Sequence, residues 1–424
     1  MSRPKLRPPA LRYRPARRTD VDTLAELALR AYRVSSLEAR REFYTEHPRF
    51  SIRDVRVGEL DGEIVASLVL YPLLAWVRGA RFPVTGIGSV AVSPEHRRRG
   101  VGEALVRAAL RDMRQRGDTM SMLYAFRSDF YARYGWGLAE RTSLLSLEPA
   151  LLPASEEARR VRKLRVPDRP AVQELYDHHV QAHGQFALAR RPEWWEKRLW
   201  PYEGEWIVYE GRRRGAIEGY LHYQVDAGEG PWKLVVTVNE FVAATPAAHR
   251  GLWGHLHALR DQAVEVIASV PGDDLWPAVL ADANNASGEF KLSVIRSTGH
   301  LGYGAMLRLV DVKGALEALP VAPAARGEIA LVVDDPVLPT NAREWRVTAR
   351  DGRLAVRPGK ADARARALPR LTASAGALAS IVAGTLAPLR AAEAGLVDDA
   401  RGAAEVCDGW FRGRPAYLYP MNAF

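Results

Sequence analysis

The sequence predicts an α/β (α+β) protein in which one mixed-sheet fold occurs twice in tandem and a smaller α/β region follows. Three observations predict it. From Gly86 to Gly102 (GIGSVAVSPEHRRRGVG) an alternating apolar segment runs into a basic, glycine-punctuated turn and then a helix. A strand, a proline and a turn into a helix return at Leu234 to His257, and Lys163 to His179 repeats the strand, Asp cap and helix that open the chain. After Val310 the pattern changes to short strands separated by Pro, Asn and Gly, then an alanine-rich stretch. At 424 residues the chain is long enough for roughly three domains of about 150 residues each, expected at 1–150, 151–308 and 309–424.

Each element has a local reason. A short strand near Leu11 to Arg14 precedes Asp20, a helix N-cap by residue type, and a helix is expected from Val21 to Arg33, with a second helical stretch after it. Ser51 to Leu60 and Glu63 to Val77 read as a hairpin turned by Asp61-Gly62. The β-branched strand Ile87 to Val92 stops at Ser93-Pro94, where a fixed φ and a missing amide end it. After Gly100 the apolar residues Val101, Leu105, Ala108 and Ala109 recur at helical spacing. Met120 to Tyr124 reads as the next strand, and Ser128 as the cap of a short helix through Tyr134, ended by Gly135. Residues 149–157 read as a linker. Beyond it, Pro170 suits a first helical turn, and Glu205 to Val225 gives another pair of strands. In the third region Ile329 to Val333, Trp345 to Thr348 and Leu354 to Arg357 read as strands, and Leu371 to Leu396 as helical.

Composition narrows the function classes. Apolar residues make up 47% and charged residues 26%, ordinary for a globular protein. The net charge of +10 comes from basic residues spread along the whole chain and not from one dense block with interleaved aromatics, so no nucleic-acid partner is expected. Cys407 is the only cysteine, which excludes an intrachain disulfide and a cysteine metal cluster. No stretch approaches the roughly 18 apolar residues of a membrane span, and the basic N-terminus lacks an apolar signal region. A soluble, cytoplasmic protein is expected.

The strand–turn–helix at Gly86 to Gly102 reads as a pyrophosphate cradle. Unpaired N–H groups and the positive helix end favour an anion there. Gly100 and Gly102 let the main chain approach phosphates, and Arg97, Arg98 and Arg99 add charge. Arg97-x-x-Gly100-x-Gly102 after such a strand resembles the acetyl-CoA signature of GCN5-related N-acetyltransferases (GNAT), of the enhanced intracellular survival (Eis) type. The resemblance implies acetyl-CoA as the substrate-cofactor and no metal, with Val90, Ala91 and Val92 bonding the pantetheine arm as an added strand would. Val101, Glu103, Phe126 and Arg127 complete the implied cofactor contacts; Phe126-Arg127 departs from the small polar residue common in relatives. Family members acetylate aminoglycosides or lysine side chains and assemble as hexamers, so a cationic small-molecule or lysine amine acceptor and a homo-oligomer are implied. Glu38, Glu42 and Glu46, at helical spacing, could face such a cation or simply solvent.

Acetyl transfer needs an acid for the departing thiolate and a base for the amine. From spacing alone Tyr131 and Tyr134 read as packing aromatics. The resemblance assigns Tyr131 as proton donor and leaves Tyr134 structural. It also implies that the C-terminal carboxylate, here of Phe424, accepts the proton; the terminal run Tyr417 to Phe424 is aromatic and uncharged, unlike a floating tail. In the second copy Ala248 stands where Arg97 does and Trp253 where Gly102 does, so that domain is expected to bind no acetyl-CoA. The third region resembles a sterol carrier protein domain through Asp351-Gly352, Ile381 to Gly384 and a late helix. The rival reading is a lipid or sterol carrier with vestigial acetyltransferase domains. His179 and His183 have a zinc-compatible spacing but no third ligand, and Trp194, Trp195 and Trp200 read as packing.

Overall fold

The computed structural model describes residues 10–32, 36–213, 215–228, 233–280, 298–359, 366–411 and 413–424. The expected helix end at Arg33 and most of the basic N-terminal stretch lie outside the described residues. The first region forms β1 (Arg12–Pro15), α1 (Val21–Ala31), α2 (Leu37–Glu46), β2 (Val55–Leu60), β3 (Glu63–Val77), β4 (Ala80–Val92), α3 (Val101–Gln115), β5 (Met120–Tyr124), α4 (Ser128–Ala132), β6 (Gly137–Leu138) and β7 (Arg141–Leu147). β1 to β4 pair antiparallel in order, whereas β4 and β5 are parallel. The helix of that parallel crossover, α3, buries Leu105, Val106, Ala109, Leu110 and Met113 on one stripe.

Two-residue turns set the hairpin registers. Leu60 pairs with Glu63 across Asp61-Gly62 (φ 52° and 87°), as expected from the sequence. Val77 pairs with Ala80 across Arg78-Gly79 (φ 49° and 82°), a turn the sequence reading missed. β4 therefore starts at Ala80, well before Ile87. Residues 52–54 form a short 3-10 turn before β2, because the Asp54 carboxylate accepts from the Ser51 N–H at 2.8 Å. Ser128 is the first residue of α4 and does not cap it. The expected linker holds two short 3-10 turns, Pro149–Leu151 and Glu156–Arg160.

The two copies exchange a strand. In the first sheet the order is β1, β2, β3, β4, β5, then Ala305–Leu309, then β6; in the second, Gly299–Tyr303, β7, Ala263–Pro271, Leu234–Ala243, Ile217–Ala227, Glu205–Glu210, Val161–Lys163. β7 thus lies beside Ala263–Pro271 as Ala305–Leu309 lies beside β5, both antiparallel. Arg308, on the exchanged strand, is fully buried; it donates to the Tyr134 carbonyl at 3.0 Å and pairs with Asp335. The third sheet runs Arg353–Pro358, Glu344–Arg350, Gly327–Asp334, Arg370–Ser374, Val397–Ala400. Here the helical reading of Leu371 to Leu396 is corrected: Arg370–Ser374 is a strand parallel to Gly327–Asp334, and helices follow only at Ala375–Val382 and Pro388–Glu393. That strand, RLTAS, holds a single alanine and is paired on both sides, and the alanine-rich helix begins only after it. One apolar core joins Val69 and Met122 of the first sheet to Leu331 and Val347 of the third and to Leu378 of the helix Ala375–Val382.

Candidate active site

The cleft begins where two parallel strands part. β4 and β5 pair only from Thr85 to Ile87, against Ser121 to Leu123. At Ser89 (φ 49°) β4 bulges, and its register against β3 shifts between Ser67 and Val69. The splayed edge leads through Pro94 to Arg98 (φ 61°) and Gly100 (φ 83°), from which α3 starts with no side chain capping it. The φ at Gly100 favours glycine. A Cβ at Gly102 would meet Phe130 only at 3.6 Å and Val92 at 3.8 Å. Packing within the protein does not demand a glycine there, and the room it leaves belongs to the cleft.

That cleft has a volume of about 1020 Å³, and Val90, Val92, Arg97, Arg98, Gly100, Gly102, Glu103, Phe126, Tyr131 and Phe424 line it. Four expected cofactor residues do not. Ala91 pairs with Ser67 and its side chain is buried; Val101 lies in the core; Arg99 points to solvent. Arg127 is exposed and paired with Asp129 at 2.6 Å. The sequence reading missed Tyr32, Arg40, Ser89, Tyr124 and Phe130, which also line the cleft; the Tyr32 hydroxyl donates to the Val90 carbonyl.

Tyr131 sits against Phe130 (5.0 Å between ring centroids) and Trp136 (6.0 Å), 2% exposed. Burial pushes its phenol up to about 12, so it keeps its proton across the neutral range. Tyr134 packs beneath Arg107, whose guanidinium lies 5.3 Å from the ring centroid.

The terminal segment enters the cleft from the opposite side. The Phe424 ring lies 5.5 Å from Tyr71 and 5.6 Å from Tyr124. Two strand glycines make the approach possible. A Cβ at Gly86 would stand 2.6 Å from the Phe424 ring, and one at Gly88 3.3 Å from its carbonyl carbon and oxygen. A glycine inside a strand marks such a close approach, and that signal was present in the sequence. Upstream, the Tyr417 hydroxyl donates to the Ser269 carbonyl at 2.7 Å and the Leu418 N–H donates to Glu140 at 2.8 Å.

Glu140 also accepts from the Ala305 N–H at 2.8 Å, and burial nonetheless raises its carboxyl to about 7 from the usual 4.5. A raised folded-state value stabilises by favouring the protonated form. This contribution is fully present below about pH 4.5 and is lost as pH rises through about 7. Relative to Glu140→Gln, wild-type unfolding free energy is therefore expected to fall by about 1.4 kcal/mol per pH unit across that window. Urea unfolding of both proteins across that pH window checks it; parallel profiles would contradict it.

The second copy is built differently at the corresponding place. Pro246 opens one continuous helix, Pro246–Ala258, and the Thr245 hydroxyl caps it by accepting from the Ala248 N–H at 3.1 Å. Gly251 is thus inside a helix, where its N–H is spent on the helix ladder. Trp253 stacks on Phe241 at 4.9 Å and donates to His249 at 3.2 Å. In the third domain the cavity among Leu316, Ile329, Leu331 and Trp410 holds only about 20 Å³, room for about one water and far below the several hundred Å³ of an organic ligand pocket.

His179 and His183 stack edge-on at 5.1 Å, and among the described residues no group of three His, Cys, Asp or Glu is placed to hold a metal. Trp194, Trp195 and Trp200 pack in one buried cluster with Tyr176 and Tyr419. Glu42 and Glu46, but not Glu38, line a surface hollow of about 650 Å³ together with Arg40, Lys197 and Arg198. Among the described residues no helix is long and apolar enough to cross a membrane.

Comparison with known proteins agrees with this architecture. Residues 12–139 match an acetyltransferase (GNAT) domain model, residues 187–308 a second one, and residues 312–419 a sterol carrier protein domain model. An uncharacterized N-acetyltransferase of Streptomyces avermitilis is 29% identical over 384 residues, covering 85% of this chain and 86% of that protein. N-acetyltransferase Eis of Mycobacterium tuberculosis is 28% identical over 280 residues, 62% of this chain and 65% of Eis. The crystal structure of a GCN5-related N-acetyltransferase from Anabaena variabilis superposes with a TM-score of 0.81 at 19% identity, covering 98% of this chain and all of that one. A GNAT domain implies acetyl-CoA as co-substrate, and the splayed strands, the Gly100 turn and the uncapped start of α3 fit a pantetheine arm and a diphosphate. With its two acetyltransferase domains and its sterol carrier domain, the chain belongs to the GCN5-related N-acetyltransferases of the Eis type and is an N-acetyltransferase.

Proposed function

We propose that the first domain transfers an acetyl group from acetyl-CoA directly to an amine, with Tyr131 as proton donor to the departing thiolate and the α-carboxylate of Phe424 as proton acceptor. The observation that carries the reading is the seat of Phe424: it shares one cleft with Tyr131, and its carbonyl carbon and oxygen lie 3.3 Å from the Cβ position of Gly88. The diphosphate rests on the N–H groups at the start of α3, assisted by Arg97 and Arg98. Val90 and Val92, on the splayed edge, bond the pantetheine amides. Tyr131 remains a neutral donor because burial holds its proton.

The acceptor is an amine of an aminoglycoside-like cation or a lysine side chain, as the resemblance implies; in the neighbouring hollow Glu42 and Glu46 are outnumbered by Arg40, Lys197 and Arg198, so that hollow does not select for a cation. The second domain carries no cofactor and serves as scaffold.

Thiol release from acetyl-CoA over a panel of aminoglycosides, polyamines and lysine peptides tests the reaction, with calorimetry of CoA binding alongside. Acetyl-dependent thiol release with at least one amine and one CoA bound per chain are expected. No release with any amine would sink the transfer reading. Two CoA per chain would sink the scaffold role of the second domain.

A further inference from the structure

The segment that ends in Phe424 is gripped by a buried polar network drawn mostly from the second domain. Asn422, 0% exposed, uses both ends of its amide. Its oxygen accepts from Arg190 Nε at 2.8 Å and from Arg49 Nη2 at 3.4 Å, and its nitrogen donates to the Tyr176 hydroxyl at 2.7 Å. Tyr176 passes the bond on to the Leu188 carbonyl at 2.6 Å. Arg190 in turn forms a fully buried two-point pair with Glu240 on strand Leu234–Ala243, which the Tyr220 hydroxyl also joins. From the first domain, Arg49 Nη1 donates to the Asn422 carbonyl at 2.7 Å and to the Ala423 carbonyl at 3.3 Å, and its guanidinium lies 3.2 Å from the Trp194 ring centroid. A buried amide whose oxygen takes two donors and whose nitrogen gives a hydrogen bond favours one geometry, since others leave polar atoms unpaired in a dry interior.

The charges do not cancel. Two guanidinium groups, Arg49 and Arg190, meet one carboxylate, Glu240, and among the described residues Arg49 contacts only neutral oxygens. The excess positive charge sits one residue from Phe424.

We propose that Asn422 and Arg49 are positioning residues for the Phe424 carboxylate, and that the second domain, through Arg190, Glu240 and Tyr176, is required for turnover because it holds this latch. The inference rests on the reading of Phe424 as proton acceptor. It gives the second copy a purpose that does not depend on binding cofactor. The latch fixes the last two peptide units, and the excess charge keeps the terminal carboxylate ionised. Tyr71 on β3 and Tyr124 on β5 lie against the Phe424 ring and Arg49 is bonded to the Ala423 carbonyl; the other ionisable groups of the cleft are Arg40 on α2, Tyr32 at the end of α1, His96, Arg97 and Arg98 on the turn, Glu103 on α3, and Tyr131, Arg133 and Tyr134 on and after α4.

Asn422→Ala is expected to lower kcat at least tenfold while the Kd for acetyl-CoA moves less than threefold. Asn422→Asp is isosteric and sits between two guanidinium groups, so it keeps the fold even if the alanine variant does not. By neutralising the excess charge it should move the acid limb of the kcat/KM profile upward by half a pH unit or more. Arg49→Met should move that limb in the same direction, and Arg49→Lys should restore its position without restoring full kcat. A scaffold defect would lower the active fraction but leave the limb where it was. Wild-type kcat in Asn422→Ala, or an unmoved limb in both charge variants, overturns the latch. Full turnover after deletion of Phe424 would instead overturn the proton-acceptor reading itself.

Discussion

Deleting Phe424, or adding one residue beyond it, is expected to reduce kcat by about 10²- to 10⁴-fold, the usual contribution of a positioned general base, while acetyl-CoA binding is unchanged. The two variants act for different reasons. Deletion removes the ring that fills the space over Gly86 and between Tyr71 and Tyr124, and leaves the new carboxylate one residue short. Extension keeps the ring but carries the charge about 3.8 Å onward along the chain. A carboxylate with a reference value near ~3.3–3.7 is a weak base. In the proposed mechanism it suffices, because the amine loses basicity as its bond to the acetyl carbon forms and the proton then needs a nearby acceptor more than a strong one. The proposed seat of the diphosphate is the start of α3 and not the seat of Phe424, so affinity is expected to be spared. Steady-state kinetics with calorimetry of CoA binding measure both quantities, and an extended protein with wild-type kcat would remove Phe424 from the mechanism.

Tyr131→Phe is expected to lower kcat by about 10²-fold or more with little change in the KM for acetyl-CoA or in thermal stability. The ring is what packs against Phe130 and Trp136, and phenylalanine keeps it. Only the proton is lost. Burial holds the phenol near 12, well above the ~8.5 of an ordinary thiol, but the same burial raises the proton affinity of a thiolate released beside it. Transfer then moves one negative charge from sulfur to oxygen without creating a second. Activity should show no alkaline loss from Tyr131 below about pH 10, since the group stays protonated there. Equal turnover in wild type and variant would return Tyr131 to a packing role.

Most local structure could be read directly from residue types. Asp61-Gly62 and Asp351-Gly352 both make the expected two-residue turns, with positive φ at both positions. The Gly100 turn follows from the same logic, and the buried stripe of α3 from its periodicity. Failures came where long-range pairing competes with propensity. Leu371 opens a stretch read as helical for the alanines beyond it, yet lies in a strand because Gly327–Asp334 offers it a partner. Arg78-Gly79 was missed because arginine rarely adopts positive φ, so the length of β4 and the place of Gly86 and Gly88 within it went unread.

The reach of Phe424 into the first domain was expected only through resemblance; the residues that receive it, Arg49, Asn422, Arg190 and Glu240, were not expected at all. They are 373 and 232 residues apart along the chain in their contacts with Asn422, and no periodicity or spacing encodes such a meeting. The exchange of β7 with Ala305–Leu309 was equally silent, since either strand satisfies its own alternation in either sheet. By itself, then, the sequence determined the family, the glycine turn before α3 and the absence of its arginine and second glycine from the second copy, because these are written in residue types within a few positions. Tertiary structure alone decided which strand completes which sheet and where the chain's last residue rests, because both are settled by burial and hydrogen-bond satisfaction between segments that are strangers in the sequence.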